Sequence, residues 1–149
     1  MSYIEELNAR AGQAAAAVKA TPLKALQIVL NEMPVRASKI GVDKKDKNFE
    51  KVKAETMDVA AKNVLTTLCA VDGTKLAAAI KGLTDSERDT LMKFIYRGFG
   101  ERTQVKQDNG DSKTVCTYDC AMLLKAHDEI CKNSGTGPVI RSIHTRLDV

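Results

Sequence analysis

At 149 residues, with 44% hydrophobic and 4% aromatic content, the chain is sized for one domain with a core of Ala, Leu, Ile and Val. Its 23 basic and 19 acidic residues leave a net charge of +4, too small an excess to argue for nucleic acid unless the charges cluster. No apolar run approaches the ~18 residues of a membrane span. The opening residues lack a secretory signal pattern, so the expected compartment is the reducing cytosol, with Cys69, Cys116, Cys120 and Cys131 as free thiols.

The first helix opens on a Ser2–Glu5 capping box and carries Ile4, Leu7, Ala11, Ala14, Ala15 and Val18 on one face. Thr21-Pro22 restarts the chain, Thr21 as N-cap and Pro22 at the first helical position, where its missing N–H costs nothing. Leu23, Leu26, Leu30 and Met33 form the inward stripe of this second helix, which Pro34 stops. Residues 34–47 read as a charged connector, since Gly41 and Asp43-Lys44-Lys45-Asp46-Lys47 carry no apolar period. A third helix is predicted from about Phe49 to Ala70, burying Phe49, Val52, Thr56, Val59, Ala60 and Val64 to Leu68. Asp72-Gly73 is a turn, and a short helix follows with Leu76, Ile80 and Leu83 inward.

Thr84 and Glu87 form a further capping box before Leu91-Met92-Lys93-Phe94-Ile95-Tyr96-Arg97-Gly98-Phe99. Arg88, Leu91, Phe94, Ile95, Gly98 and Phe99 recur at three- and four-residue spacing, the stripe of a helix docked on a core. Gly98 and Gly100 are expected to end it through the left-handed conformation that glycine adopts readily. Residues 101–114 are polar and read as a mobile loop. A long helix is predicted over about Val115 to Lys132, closed by Asn133, Ser134 and Gly135. Pro138 opens a last one with Val139, Ile140, Ile143 and Leu147 inward. No stretch alternates with period two over strand length. The expected fold is therefore all-α: one domain over 1–149 of about seven helices, packed as an antiparallel α–α array, a short superhelix.

The stretch from Leu91 to Phe99 resembles the Leu-Met-Lys-aromatic-Ile-Tyr-basic-Gly-Phe signature of the actin-related protein 2/3 complex subunit 5 family. Ala121-Met122-Leu123-Leu124, followed by His127 and Asp128, is similar to a second segment of that family. Gly135-x-Gly137, Ile140-Arg141, Thr145-Arg146 and Val149 are similar, more loosely, to its carboxyl end. The resemblance implies the smallest, non-catalytic structural subunit of the assembly that nucleates branched actin filaments, cytoplasmic and cytoskeletal, with no cofactor. It implies packing on subunit 4, near the β-propeller subunit 1. Many family members open with a long acidic arm that reaches toward the second actin-related protein. Here the helical pattern begins at Ser2, with Glu5 and Glu6 as the early acids, and that arm is not matched.

Other chemistries are less well served. If Cys116, Cys120, His127 and Cys131 lie along one helix, the gap from Cys120 to His127 separates the pairs by ~10 Å. Zinc ligands sit ~2.0–2.3 Å from the metal, so one straight helix cannot bring all four to one ion. These residues are expected as small buried side chains beside Leu123, Leu124 and Ile130, with a two-ligand Cys116/Cys120 site shared with a partner chain as the alternative. A Cys/His nucleophilic pair would need a third orienting group, and none is identifiable; the resemblance implies a structural His127. Gly135-Thr136-Gly137-Pro138 lacks the phosphate-loop pattern and reads as helix punctuation. Lys39, Lys44, Lys45, Lys47, Lys51 and Lys53 are broken up by Asp43, Asp46 and Glu50, with no aromatic residue to stack on bases.

On the signature helix, Leu91, Ile95 and Phe99 suit the chain's own core, while Met92, Tyr96 and Phe94 extend the apolar surface sideways and Lys93 and Arg97 form a rim. Matched positions and chemistry together mark Met92, Lys93, Tyr96, Arg97, Ile140, Arg141 and Arg146 as the candidate partner interface. The alternatives are a small helical adapter for an unrelated protein and a weak nucleic-acid-binding module using the lysines of 39–53.

Overall fold

The computed structural model describes residues 2–145 and Val149. Seven helices account for most of the described chain: α1 Tyr3–Ala17, α2 Pro22–Leu30, α3 Phe49–Ala70, α4 Leu76–Gly82, α5 Asp85–Gly100, α6 Cys120–Ser134 and α7 Gly137–Thr145. A β-hairpin of β1 Arg102–Lys106 and β2 Ser112–Cys116 stands between α5 and α6, so the fold is mainly α rather than purely α.

The helix starts follow local chemistry. Ser2 and Thr84 each accept from the backbone N–H three residues on, and Glu5 and Glu87 reach back to close both capping boxes. Asp119 caps α6 by accepting from the N–H groups of Ala121 and Met122. Thr21 precedes α2 without such a bond; its hydroxyl instead donates to the Ala17 carbonyl at 3.3 Å. Helix α2 stops at Leu30, where Glu32 turns to φ +60°, so Pro34 lies beyond the end it was expected to make. The 34–47 connector contains a 3-10 turn, Ala37–Lys39, that places Ile40 in a buried position.

Glycine acts differently in α5 than its spacing suggests. The helix runs through Gly98 to Gly100, and neither residue is left-handed. A Cβ on Gly98 would lie 2.9 Å from Leu65 Cδ2 and 3.0 Å from Leu123 Cδ1. Gly98 is therefore where α5 comes close to α3 and α6. The left-handed cap occurs at Gly135, with φ +67°, whose N–H closes α6 on the Cys131 carbonyl. Arg88, read as part of an inward stripe, caps α4: its guanidinium donates to the Ile80 and Lys81 carbonyls at 3.1 and 2.9 Å.

The hairpin replaces the expected loop over 101–114, and it also shortens the following helix, which starts at Cys120 rather than near Val115. Its strands pair from Arg102↔Cys116 to Lys106↔Ser112, and Gly110 at φ +86° turns the chain. Nearly every hairpin residue is exposed, so no apolar face marked it.

One contiguous core joins the helices. Leu26, Val64, Leu65, Leu68, Leu76, Ile80, Leu91, Met92, Phe94, Ile95, Leu123 and Ile130 are among its most completely buried members. Helix α3 touches α1, α2, α5 and α6, and α5 carries α6 and α7 on its other sides. In α1 and α3 one expected inward position each fails this packing: Ala15 and Thr66 are exposed.

Candidate docking surface

Helix α5 divides its signature residues between two tasks. Leu91, Met92, Phe94 and Ile95 are at most 1% exposed. Met92 and Phe94 thus contribute nothing to the outer surface of this chain. The reading that placed them toward a partner fails because α5 is covered by α3, α6 and α7 together.

Tyr96 is half-buried, edge-on to Phe99 and to the His127 ring with centroids 5.9 and 5.5 Å apart. Its hydroxyl lies 2.8 Å from His127 Nε2, while His127 Nδ1 faces Cys131 Sγ at 3.8 Å. Burial, and then the neighbouring Cys131, push the Tyr96 phenol above its ordinary range. His127 therefore does have an orienting neighbour, supplied by the facing helix, which spacing within α6 could not reveal. Arg97 pairs with Asp58 of α3 and with Glu101 at 3.3 Å, and its third contact is the Met57 carbonyl at 3.4 Å. These bonds place Arg97 in the wall of a cleft of about 630 Å³ between α3 and the hairpin root, facing Lys62, Cys69 and Asp119. Lys93 is half-buried.

Helix α7 behaves in the opposite way. Its packed side consists of small or short residues: Pro138 and Ser142 are buried, and the Ser142 hydroxyl donates to the Pro138 carbonyl at 2.6 Å. Val139 packs at the core's edge. Ile140 and Ile143, expected inward, are instead 54% and 60% exposed. The closeness that Pro138 and Ser142 permit holds α7 on α5 with its two largest apolar side chains turned outward. Arg141 fixes that orientation, its Nε and Nη2 donating to Asp89 Oδ2 and Oδ1 at 2.7 and 2.8 Å in a bidentate fork. The Asp89 carboxylate in turn raises the Arg141 pKa further. Arg146 and Leu147 lie outside the described residues.

Leu124, also expected among core side chains, is 60% exposed on α6. Cys116 lies on β2 and Cys120 begins α6, so Cys116, Cys120, His127 and Cys131, expected along one helix, do not share one. Among the described residues, no group of three or more His, Cys, Asp or Glu side chains could hold a metal ion. In the basic region, Lys39 pairs with Glu32 at 3.0 Å and Lys53 approaches Glu50 at 3.9 Å.

The comparison with known families bears on what this surface is for. The family model described as ARP2/3 complex 16 kDa subunit (p16-Arc) matches residues 3–149. The chain belongs to this family. Among curated proteins, this p16-Arc family member is similar to actin-related protein 2/3 complex subunit 5 of Saccharomyces cerevisiae (strain ATCC 204508 / S288c). The two are 30% identical over 96 residues, 64% of this chain and 54% of the yeast protein. The chain thus spans about half the length of the curated relative it matches. The p16-Arc match runs through the hairpin and through α7, the helix that presents Ile140 and Ile143.

Proposed function

We propose that this chain is a non-catalytic structural subunit of the actin-related protein 2/3 complex and docks in it through the outer face of α7. Family membership supports the assembly, and the outward Ile140–Ile143 pair supports the docking face. Two isoleucines one turn apart form an apolar anchor of the kind found at interface centres. Arg141, between the two isoleucines in sequence, stands at its rim; Lys93 on α5 stays in the interface set, and Arg146 does so from the sequence match alone. Tyr96 and Arg97 act behind it, fixing α5 against α6 and α3 rather than touching a partner. Met92 drops out of the interface set.

The partner at this face is subunit 4, with the β-propeller subunit 1 nearby. Contact with the second actin-related protein is a further expectation. The helices act as a short antiparallel α–α array, a rigid spacer within an actin-cytoskeletal assembly.

The test is mild affinity purification of the tagged full-length chain from its own cells, followed by mass spectrometry. Near-stoichiometric recovery of both actin-related proteins and the other subunits is expected from the wild type. The Ile140→Asp/Ile143→Asp variant should stay folded and lose them. Recovery of the wild-type chain alone, or with unrelated proteins, would overturn the assembly in favour of a small helical adapter. A variant that still recovers the complex would overturn the docking face.

A further inference from the structure

Spacing along α6 offers a Cys/His pair no group to orient its imidazole, and the facing helix supplies one. His127 and Cys131 lie four residues apart, so they share one face of α6. Cys131 Sγ stands 3.8 Å from His127 Nδ1, within reach of a sulfur hydrogen bond. The other ring nitrogen, Nε2, meets the Tyr96 hydroxyl of α5 at 2.8 Å. The phenol ring is tilted 81° from the imidazole plane, so the imidazole is held by its edge contact as well as at its far nitrogen. Phe99 braces Tyr96 in turn, at 78°. With Nε2–H donating to the Tyr96 oxygen, the Nδ1 lone pair faces the thiol. The carboxylates beside His127 on α6 are drawn to a lysine: Asp128 and Glu129 accept from Lys132 Nζ at 2.8 and 3.3 Å. Cys131 is half-buried at the edge of the core, which leaves it partly open to solvent.

We propose that Cys131 is a nucleophilic thiol, deprotonated by His127 and positioned through Tyr96, that takes small disulfides by exchange. The thiol proton passes from Sγ to His127 Nδ1 as the Cys131 sulfur attacks one sulfur of the disulfide. A new S–S bond forms to Cys131, the old S–S bond breaks, and the leaving thiolate takes the proton back from Nδ1. Cys131 is oxidised to the mixed disulfide, and the departing half of the reagent is reduced to a free thiol. Tyr96 is a positioning residue: it keeps Nε2 engaged, so Nδ1 is the nitrogen that handles the proton. Exposure alone predicts a different order, with exposed Cys116 modified before half-buried Cys131. Exchange follows the thiolate rather than the open surface, so the imidazole puts Cys131 first. The adduct lies on the seam between α5 and α6, where redox state can reach the helix that carries Tyr96.

The test treats the native full-length chain with oxidised glutathione, quenches it with alkylating reagent at successive times, and digests it with trypsin without reductant. Cleavage places Cys131 on Ala126–Lys132, Cys69 on Asn63–Lys75, and Cys116 with Cys120 on Thr114–Lys125. The glutathione adduct should form on Ala126–Lys132 ~10-fold faster than on either other peptide. His127→Gln, an amide that is no base, should remove that advantage while circular dichroism shows the fold retained. Tyr96→Phe should slow Cys131 and leave Cys69 unchanged, whereas a general loosening would speed both. An adduct formed first on Thr114–Lys125, equal rates on the three peptides, or an undiminished Cys131 rate in folded His127→Gln would each overturn the proposal. If His127→Gln does not fold, the order of modification in the wild-type chain decides.

Discussion

Replacing Met92 by alanine separates the core task of α5 from any interface task. Met92 is fully buried, within the cluster that includes Leu91, Phe94 and Ile95. Truncating a buried methionine to alanine costs ~2–5 kcal/mol, from lost transfer energy and from the cavity left behind. The close approach at nearby Gly98 limits how far the helices can relax inward, so about 3 kcal/mol is expected. In a chain of this size each kcal/mol corresponds to ~2–4 °C in Tm, so the melting midpoint should fall by about 6–12 °C. Urea unfolding followed by far-ultraviolet circular dichroism should show a lower midpoint at unchanged slope. The folded fraction should still join its assembly with undiminished affinity. A loss below about 0.5 kcal/mol, or a full-strength fold that no longer associates, would refute the placement of Met92 in the core.

Each exposed isoleucine on α7 retains roughly half its side-chain area for burial, worth about 1 kcal/mol, so Ile140→Ala/Ile143→Ala should weaken docking ~30-fold by titration. Tyr96→Phe removes the hydroxyl that meets His127 Nε2 and should cost about 1 kcal/mol in the same urea assay. Gly98→Val should cost about 1–3 kcal/mol, because even a Cβ there intrudes on Leu65 and Leu123. Hydrogen bonds from Arg10 and then Lys39 hold the Glu32 carboxyl below its ordinary 4.5, and the Thr74 N–H and hydroxyl hold Asp72 below 3.8. Both contribute stability that is present above those values and lost as pH falls through the lower folded ones; Glu32→Gln and Asp72→Asn should flatten the acid limb of an unfolding profile.

Elements carrying an explicit local signal were legible in the sequence. The capping boxes at Ser2 and Thr84, and the span Phe49–Ala70, stand as read. The hairpin was missed because both its faces meet solvent, so its strands show no alternation. The Asn109-Gly110 pair, set between Thr103 and Val105 on one side and Thr114 and Val115 on the other, was the available turn signal. The α7 face was misread for a different reason: a nine-residue helix with apolar residues at 139, 140 and 143 has two possible inward stripes. Only the contact of Pro138 and Ser142 with the body decides between them. Tyr96, His127 and Cys131 likewise meet across helices, where spacing along one helix carries no information.

The hairpin's root is closed by the Thr117–Glu101 bond and by Arg102 donating to the Phe99 carbonyl, and past that root its strand residues are nearly all exposed. The distance between the end of α5 and the start of α6 is therefore set at that root and not by what lies past it. Length and sequence beyond the root are free to vary without moving either helix. The tip at Asp108–Asp111 is accordingly a graft site: an epitope, a fluorophore-binding peptide or a shortened turn inserted there should leave the helical body and its α7 face unaltered.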